Sequence, residues 1–228
     1  MYIMILLKRG NKMLFKDYRI EDFLNELSSD APSPGGGSTA ALVLALSGSL
    51  NSMVYSLTIG KKVYEELKYE EKEKMLTLQA EAKKLIIKAQ EFMEKDREDF
   101  LGLMNSYKLP KTNDEEIKFR KEKIKEFTIK AMETPLQLAE ECLKFYNNIE
   151  FAIKYGNKNL ISDAGVAATL LHSSIESAII NVKVNLNFLR EEEFVFYIEE
   201  KCNNILSDSN LKKNNLMNEV EKFIYPKK

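Results

Sequence analysis

The chain sets 34 Lys+Arg against 35 Asp+Glu over 228 residues, a formal net charge of −1, with 44% apolar and 30% charged residues. That is an ordinary globular mix, long enough to bury a sizeable core, and it lacks the basic excess of a nucleic-acid binder. Two cysteines (Cys142, Cys202) and a single histidine exclude a disulfide scaffold or a Cys/His-rich zinc site, so no metal is expected and the reducing cytoplasm is the expected compartment.

Residues 1–7 are apolar and precede Lys8-Arg9, but seven residues are too few for a secretory leader. They read as part of an N-terminal extension, 1–13, ahead of one domain over 14–228. Residues 31–60 carry no charge and could span a bilayer by length. Eight Ser, Thr and Asn side chains from Ser38 to Thr58 favour a buried helix, and no membrane partner is expected.

Helical periodicity dominates from there on. Ile20, Phe23, Leu24 and Leu27 make a first helix, with Asp17 as its expected cap, broken by Pro32-Ser33-Pro34 and three glycines. A second helix is predicted over about 38–57. A third is predicted over 69–109, ended by Pro110, with apolar positions stepping by three and four. Residues 114–133 read as a fourth, highly charged helix. Thr134-Pro135 then reads as a cap followed by proline at the first helical position, opening a fifth helix to about Tyr155. Ser162 or Asp163 caps a sixth helix to about Leu186, and two shorter helices close the chain. With no sustained period-two alternation, the expectation is a single-domain all-α bundle. Ala41, Ala45, Gly48 and Ser52 on the second helix, and Ala164, Gly165, Ala167, Ala168, Ser174 and Ala178 on the sixth, form stripes of small side chains. Such stripes let axes approach closely, so these two helices are expected at the centre, wrapped by the others or meeting a second subunit.

Several residues could carry chemistry. Pro34-Gly35-Gly36-Gly37-Ser38 enters a helix whose first N–H groups are unpaired, a terminus that attracts carboxylate or phosphate. The plainer alternative is a turn with Ser38 as its cap. Asp96 sits within the apolar stripe Ala89, Met93, Phe100, Leu103 and Tyr107, where burial raises a carboxyl's proton affinity as a general acid or base requires. A structural ion pair, with Arg97 of another subunit or a nearby lysine, is the alternative. Asp99, one step round, reads as solvent-facing. Asp163 beside Ser162 and Gly165 is either a cap or a second anchor. Asn181 and Asn185, four apart, either read a heterocycle or bond across the helix pair. His172 and Glu176 share a stripe expected to be solvated. Lys61 and Lys62 either complement the end of the second helix or form a basic rim for an anionic tail.

Taken in order, these segments form a set: Pro32-Ser33-Pro34-Gly35-Gly36-Gly37-Ser38-Thr39-Ala40-Ala41; Leu57-Thr58-Ile59-Gly60-Lys61-Lys62; Asp96-x-x-x-Phe100; Tyr107-Lys108-Leu109-Pro110-Lys111; Pro135-Leu136; Ser162-Asp163-Ala164-Gly165; and Asn181-Val182-x-x-Asn185-Leu186. The set resembles the formimidoyltetrahydrofolate cyclodeaminase and methenyltetrahydrofolate cyclohydrolase family, from about Asp17 to beyond Leu189. Asp99 departs from it, standing where the family has a small residue before Phe100.

The resemblance implies an all-α homodimer acting on reduced folate without metal or redox cofactor. It implies Asp96 as the proton-transferring carboxylate and Asp163 as second carboxylate or pterin anchor. It further implies Gly35, Gly36, Gly37, Ser38 and Ser162 approaching the folate, Asn181 and Asn185 lining the pocket, and Lys61 and Lys62 meeting the glutamate tail. Cyclodeaminase activity is the expected reaction, with cyclohydrolase activity and a non-catalytic folate-binding scaffold as the alternatives.

Overall fold

The computed structural model describes residues 13–225; apart from Met13, the extension expected over 1–13 lies outside them. Seven α-helices follow: α1 (Ile20–Leu27), α2 (Gly36–Ser56), α3 (Lys62–Glu65), α4 (Tyr69–Tyr107), α5 (Asp114–Tyr155), α6 (Ile161–Leu186) and α7 (Val195–Ile224). No strand occurs among the described residues.

α2, α4, α5 and α6 form an antiparallel four-helix ring, and α7 lies outside against α5 and α6. Cross-helix bonds fix the directions. Ser47 and Ser174 hydroxyls donate to the Ala167 and Ala40 carbonyls, so α2 and α6 run oppositely along their small-residue stripes. Thr134 at Asp99 and Asn148 at Leu78 align α5 against α4 in the same manner. The core is Leu44, Val54, Met75, Ala82, Ile149, Leu171, Ile175 and Val182, all nearly inaccessible.

α2 is long and apolar enough to cross a membrane, yet 61% of its apolar window is buried within the fold, as in a core helix. Its outer line is uncovered, with Leu46 and Leu57 exposed; α6 likewise exposes Val166, Ile180 and Val184. The two helices are therefore neighbours, as the stripes require, but one chain does not wrap them completely.

Four expectations about elements need correction. α1 begins after Arg19 as N-cap, and Asp17 belongs to a preceding 3-10 turn, Phe15–Asp17. α6 begins at Ile161 with Leu160 as N-cap, so neither Ser162 nor Asp163 caps it. The C-terminus is one helix, because buried Val195, Cys202, Ile205, Ser209, Leu216 and Val220 sustain a single helical stripe through polar stretches.

The fourth concerns Pro135. α5 runs through it as one 42-residue helix. Proline cannot supply the N–H that would bond the carbonyl four residues earlier, Ala131. The Asn185 side chain supplies it instead, with Nδ2 donating to Ala131 O at 3.0 Å. A side chain from α6 thus repairs the gap, and tertiary packing overrides the local stop signal.

Candidate functional site

The triple glycine opens α2 with Gly35 at the N-cap, so the helix begins two residues before Ser38. Gly35 has no side-chain oxygen to satisfy the first N–H groups. A carboxylate from α4 comes to this entrance instead. Ser38 Oγ donates to Asp96 Oδ2 at 2.8 Å and also reaches the Met93 carbonyl at 3.2 Å. Gly37 makes the approach feasible: a Cβ there would lie 1.9 Å from Asp96 Oδ1 and 2.5 Å from its Cγ. The glycine is required here by closeness of packing, not by backbone conformation.

Asp96 is partly buried and makes no ion pair among the described residues; Arg97 instead pairs with Glu94 and stacks on Phe15. Burial pushes the Asp96 carboxyl above its ordinary value; the Ser38 hydroxyl and backbone N–H pull it back, and the Asp99 charge raises it further. The result is a carboxyl that can hold or release a proton nearer neutrality than a surface aspartate.

Asn181 borders the same helix entrance, its amide atoms 3.2 Å from where a Gly36 Cβ would stand. Asn181 Nδ2 is engaged by Ser177 O, and Asn185 Nδ2 by Ala131 O and Asn181 O. Asn185 thus leaves only its carbonyl oxygen for a ligand, whereas Asn181 keeps a second N–H donor beside its carbonyl oxygen. The structure groups Asp96, Ser38, Gly36, Gly37, Asn181 and Asn185 at one end of the α2–α6 pair.

The other expected residues stand at the opposite end. α2 puts about 30 Å between Gly36 and Ser56, and Lys61 and Lys62 follow beyond an exposed turn at Gly60, whose φ is 75°. α6 puts about 27 Å between Asp163 and Asn181. Thr58, whose Oγ1 accepts the Asn157 N–H at 2.9 Å, ties these two far ends together. Lys61, Lys62 and Ser162 are exposed and Asp163 is half-buried. Within one chain they cannot meet Asp96.

Asp99 was misread as solvent-facing. It is 9% exposed, and Thr134 Oγ1 donates to its Oδ2 at 2.6 Å. The available signal was spacing: three residues from Asp96 on a helix returns to nearly the same face. His172 is also less solvated than expected, because its Nδ1 meets Ser209 Oγ at 2.7 Å, which in turn bonds Tyr146 Oη at 2.8 Å. A groove of about 1310 Å³ lies elsewhere, between the ends of α5 and α7, and is lined by residues such as Lys154, Lys158, Lys222 and Phe223.

A profile of the Formiminotransferase-cyclodeaminase family matches residues 19–204. The chain belongs to that family. Among family relatives, it is 38% identical to the methenyltetrahydrofolate cyclohydrolase of Methylorubrum extorquens over 175 residues, 77% of this chain and 82% of that one. It is 27% identical to the formimidoyltransferase-cyclodeaminase of Rattus norvegicus over 200 residues, 88% of this chain but 36% of the rat protein, so it spans about a third of that relative's length. The solved structure of formiminotetrahydrofolate cyclodeaminase from Thermotoga maritima superposes with a TM-score of 0.72 at 22% identity, covering 91% of this chain and 96% of that one. At that identity the likeness establishes the family fold.

Proposed function

We propose that this family member acts on the one-carbon bridge between N5 and N10 of a reduced folate, with Asp96 moving the proton. The supporting observation is the half-buried carboxyl fixed by Ser38 across the clearance that Gly37 provides. Hydrolysis of 5,10-methenyltetrahydrofolate to the 10-formyl form is the favoured reaction, because the 38%-identical cyclohydrolase is matched along most of its own length. Water adds to the cationic methenyl carbon while Asp96 accepts one of its protons. As the C–N5 bond breaks, Asp96 returns that proton to N5, and the carbinol O–H proton leaves to solvent. A carboxylate also stabilises the cationic bridge before attack.

The cyclodeaminase reading uses the same residue. N10 attacks the formimino carbon, Asp96 takes the N10 proton, and a protonated carboxyl assists the departure of ammonia. Its support is the family profile and the Thermotoga relative, whose length this chain nearly fills. Neither reading needs a metal or redox cofactor, and both belong in the cytoplasm.

The split site points to a homodimer. The uncovered apolar lines of α2 and α6 would pair about a two-fold axis perpendicular to both helices. That operation returns one protomer's Lys61, Lys62, Ser162 and Asp163 to the end where the other presents Asp96. The lysines would then meet the glutamate tail and Asp163 the pterin.

Decay of methenyl-folate absorbance when that compound is supplied, or its growth from 5-formimino-folate, separates the two activities. Turnover should vanish in Asp96→Asn while folate still raises the melting temperature. Full turnover in that variant removes Asp96 from the reaction. Folate-dependent stabilisation of the wild type without turnover of either compound identifies a non-catalytic binding protein.

A further inference from the structure

We propose that Asp99 is a positioning residue for Asp96: a second inward carboxylate, locked by Thr134, whose charge makes its neighbour the stronger base and draws a cationic one-carbon bridge into the site. The proposal rests on Asp96 being the acid–base group.

The geometry carries it. Three residues apart on α4, the two side chains leave the helix on nearly the same face, with Cβ atoms roughly 5–6 Å apart. Asp99 is 9% exposed, a costly position for a carboxylate unless something holds it. What holds it is Thr134, one residue before the proline inside α5, at 2.6 Å from Oδ2. The hydroxyl of a buried threonine is thus committed to a carboxylate one helical turn from Asp96.

The other charges around Asp96 do not cancel this one. From Gly36 to Ser56, α2 faces it with Ser38 and has no ionisable side chain but Tyr55, near the far end. On α4, Lys95 donates to Gln137, while Arg97 and Glu94 pair with each other beside Phe15. From α5, exposed Lys130 lies near Asp99 but is held by Glu126, with Glu133 close by. α6 presents Asn181 and Asn185 there; its Lys183 is exposed and reaches Asn203, whereas His172 and Glu176 lie further down. Two carboxylate charges at the roughly 6 Å of the Cβ spacing repel by an amount equivalent to about half to two pH units, and the divergence of the side chains toward Ser38 of α2 and Thr134 of α5 favours the lower end of that range.

The test uses the full chain and the isosteric variant Asp99→Asn, whose side-chain oxygen still accepts from Thr134 while the charge is gone. The Asp96 carboxyl is titrated by carbon NMR in both proteins, and the pH profile of kcat is measured alongside. The expected result is a downward shift of the Asp96 midpoint by at least half a unit, with the kcat profile moving the same way and KM for the cationic methenyl substrate rising. Asp99→Ser serves if the amide disturbs folding. An unchanged Asp96 midpoint in a folded variant overturns the proposal. A shifted midpoint with a kcat profile that stays put keeps the coupling but removes Asp96 from catalysis, a failure of the underlying reading and of the proposal's catalytic role together.

Discussion

Gly37→Ala is the most pointed test of the site. The added Cβ would stand 1.9 Å from Asp96 Oδ1, against an ordinary contact of at least 3.4 Å, so the carboxylate must retreat by about 1.5 Å. That movement breaks the 2.8 Å bond from Ser38. Losing a hydrogen bond to a charged acceptor costs about 1.5–3 kcal/mol, and forcing Asp96 off its rotamer about 0.5–1.5 more. Alanine returns roughly 1 kcal/mol through its better helix propensity. The net is about 1–3.5 kcal/mol, a fall of several degrees in melting temperature for a chain of this size. Activity should suffer more, because a misplacement of this order costs on the order of 100-fold in rate. Gly35→Ala, whose Cβ meets nothing within 4 Å, is the steric comparison: it leaves Asp96 in place and should lose clearly less activity than Gly37→Ala. Methenyl-folate absorbance gives the rate and circular dichroism the melt. A folded Gly37→Ala enzyme turning over like wild type would refute the claim that Asp96 acts from the observed position.

Asp96→Asn should be more stable than wild type at neutral pH, because the raised carboxyl makes the folded state bind a proton that the unfolded chain releases. That contribution is complete below the ordinary value of 3.8 and lost as pH rises through the elevated one, so melts of the two proteins should converge in acid. Asn185→Ala should cost about 1–3 kcal/mol by orphaning the Ala131 carbonyl, and Pro135→Ala in the same chain should recover part of it by restoring a backbone donor; additive losses in the double-mutant cycle would contradict the repair. Ser209→Ala should destabilise by a similar amount, since both Tyr146 Oη and His172 Nδ1 lose a buried partner, as a urea melt would register. Leu46→Glu on the uncovered line of α2 should give a monomer by analytical ultracentrifugation, with lower activity; an unaltered sedimentation coefficient would place the subunit contact elsewhere.

The helices, their order and the close α2–α6 approach were legible because period and side-chain size are local properties of a sequence. Asp96 was legible for the same reason, as an acid within an apolar stripe. What escaped reading is what one helix does for another. Thr134-Pro135 has every mark of a helix start, and only Asn185, fifty residues on, allows the chain to continue through it. Asp99 looked solvent-bound because nothing near it in sequence offers a partner, whereas Thr134 waits on the next helix. Lys61, Lys62 and Asp163 were grouped with the glycine loop by kinship of type; the antiparallel run of α2 and α6 puts them at the opposite end.

The Asn185–Ala131 bond also fixes a register. Away from the ends of α5, a vacant acceptor occurs only where proline withholds its donor, so α6 has a single setting in which its amide answers that vacancy. Sliding α6 by one residue would strand both groups in a poorly hydrated seam. Asn181, one turn below on the same helix, is indexed by the same latch, and its height relative to the glycine entrance is thereby a consequence of where one imino acid falls in another rod.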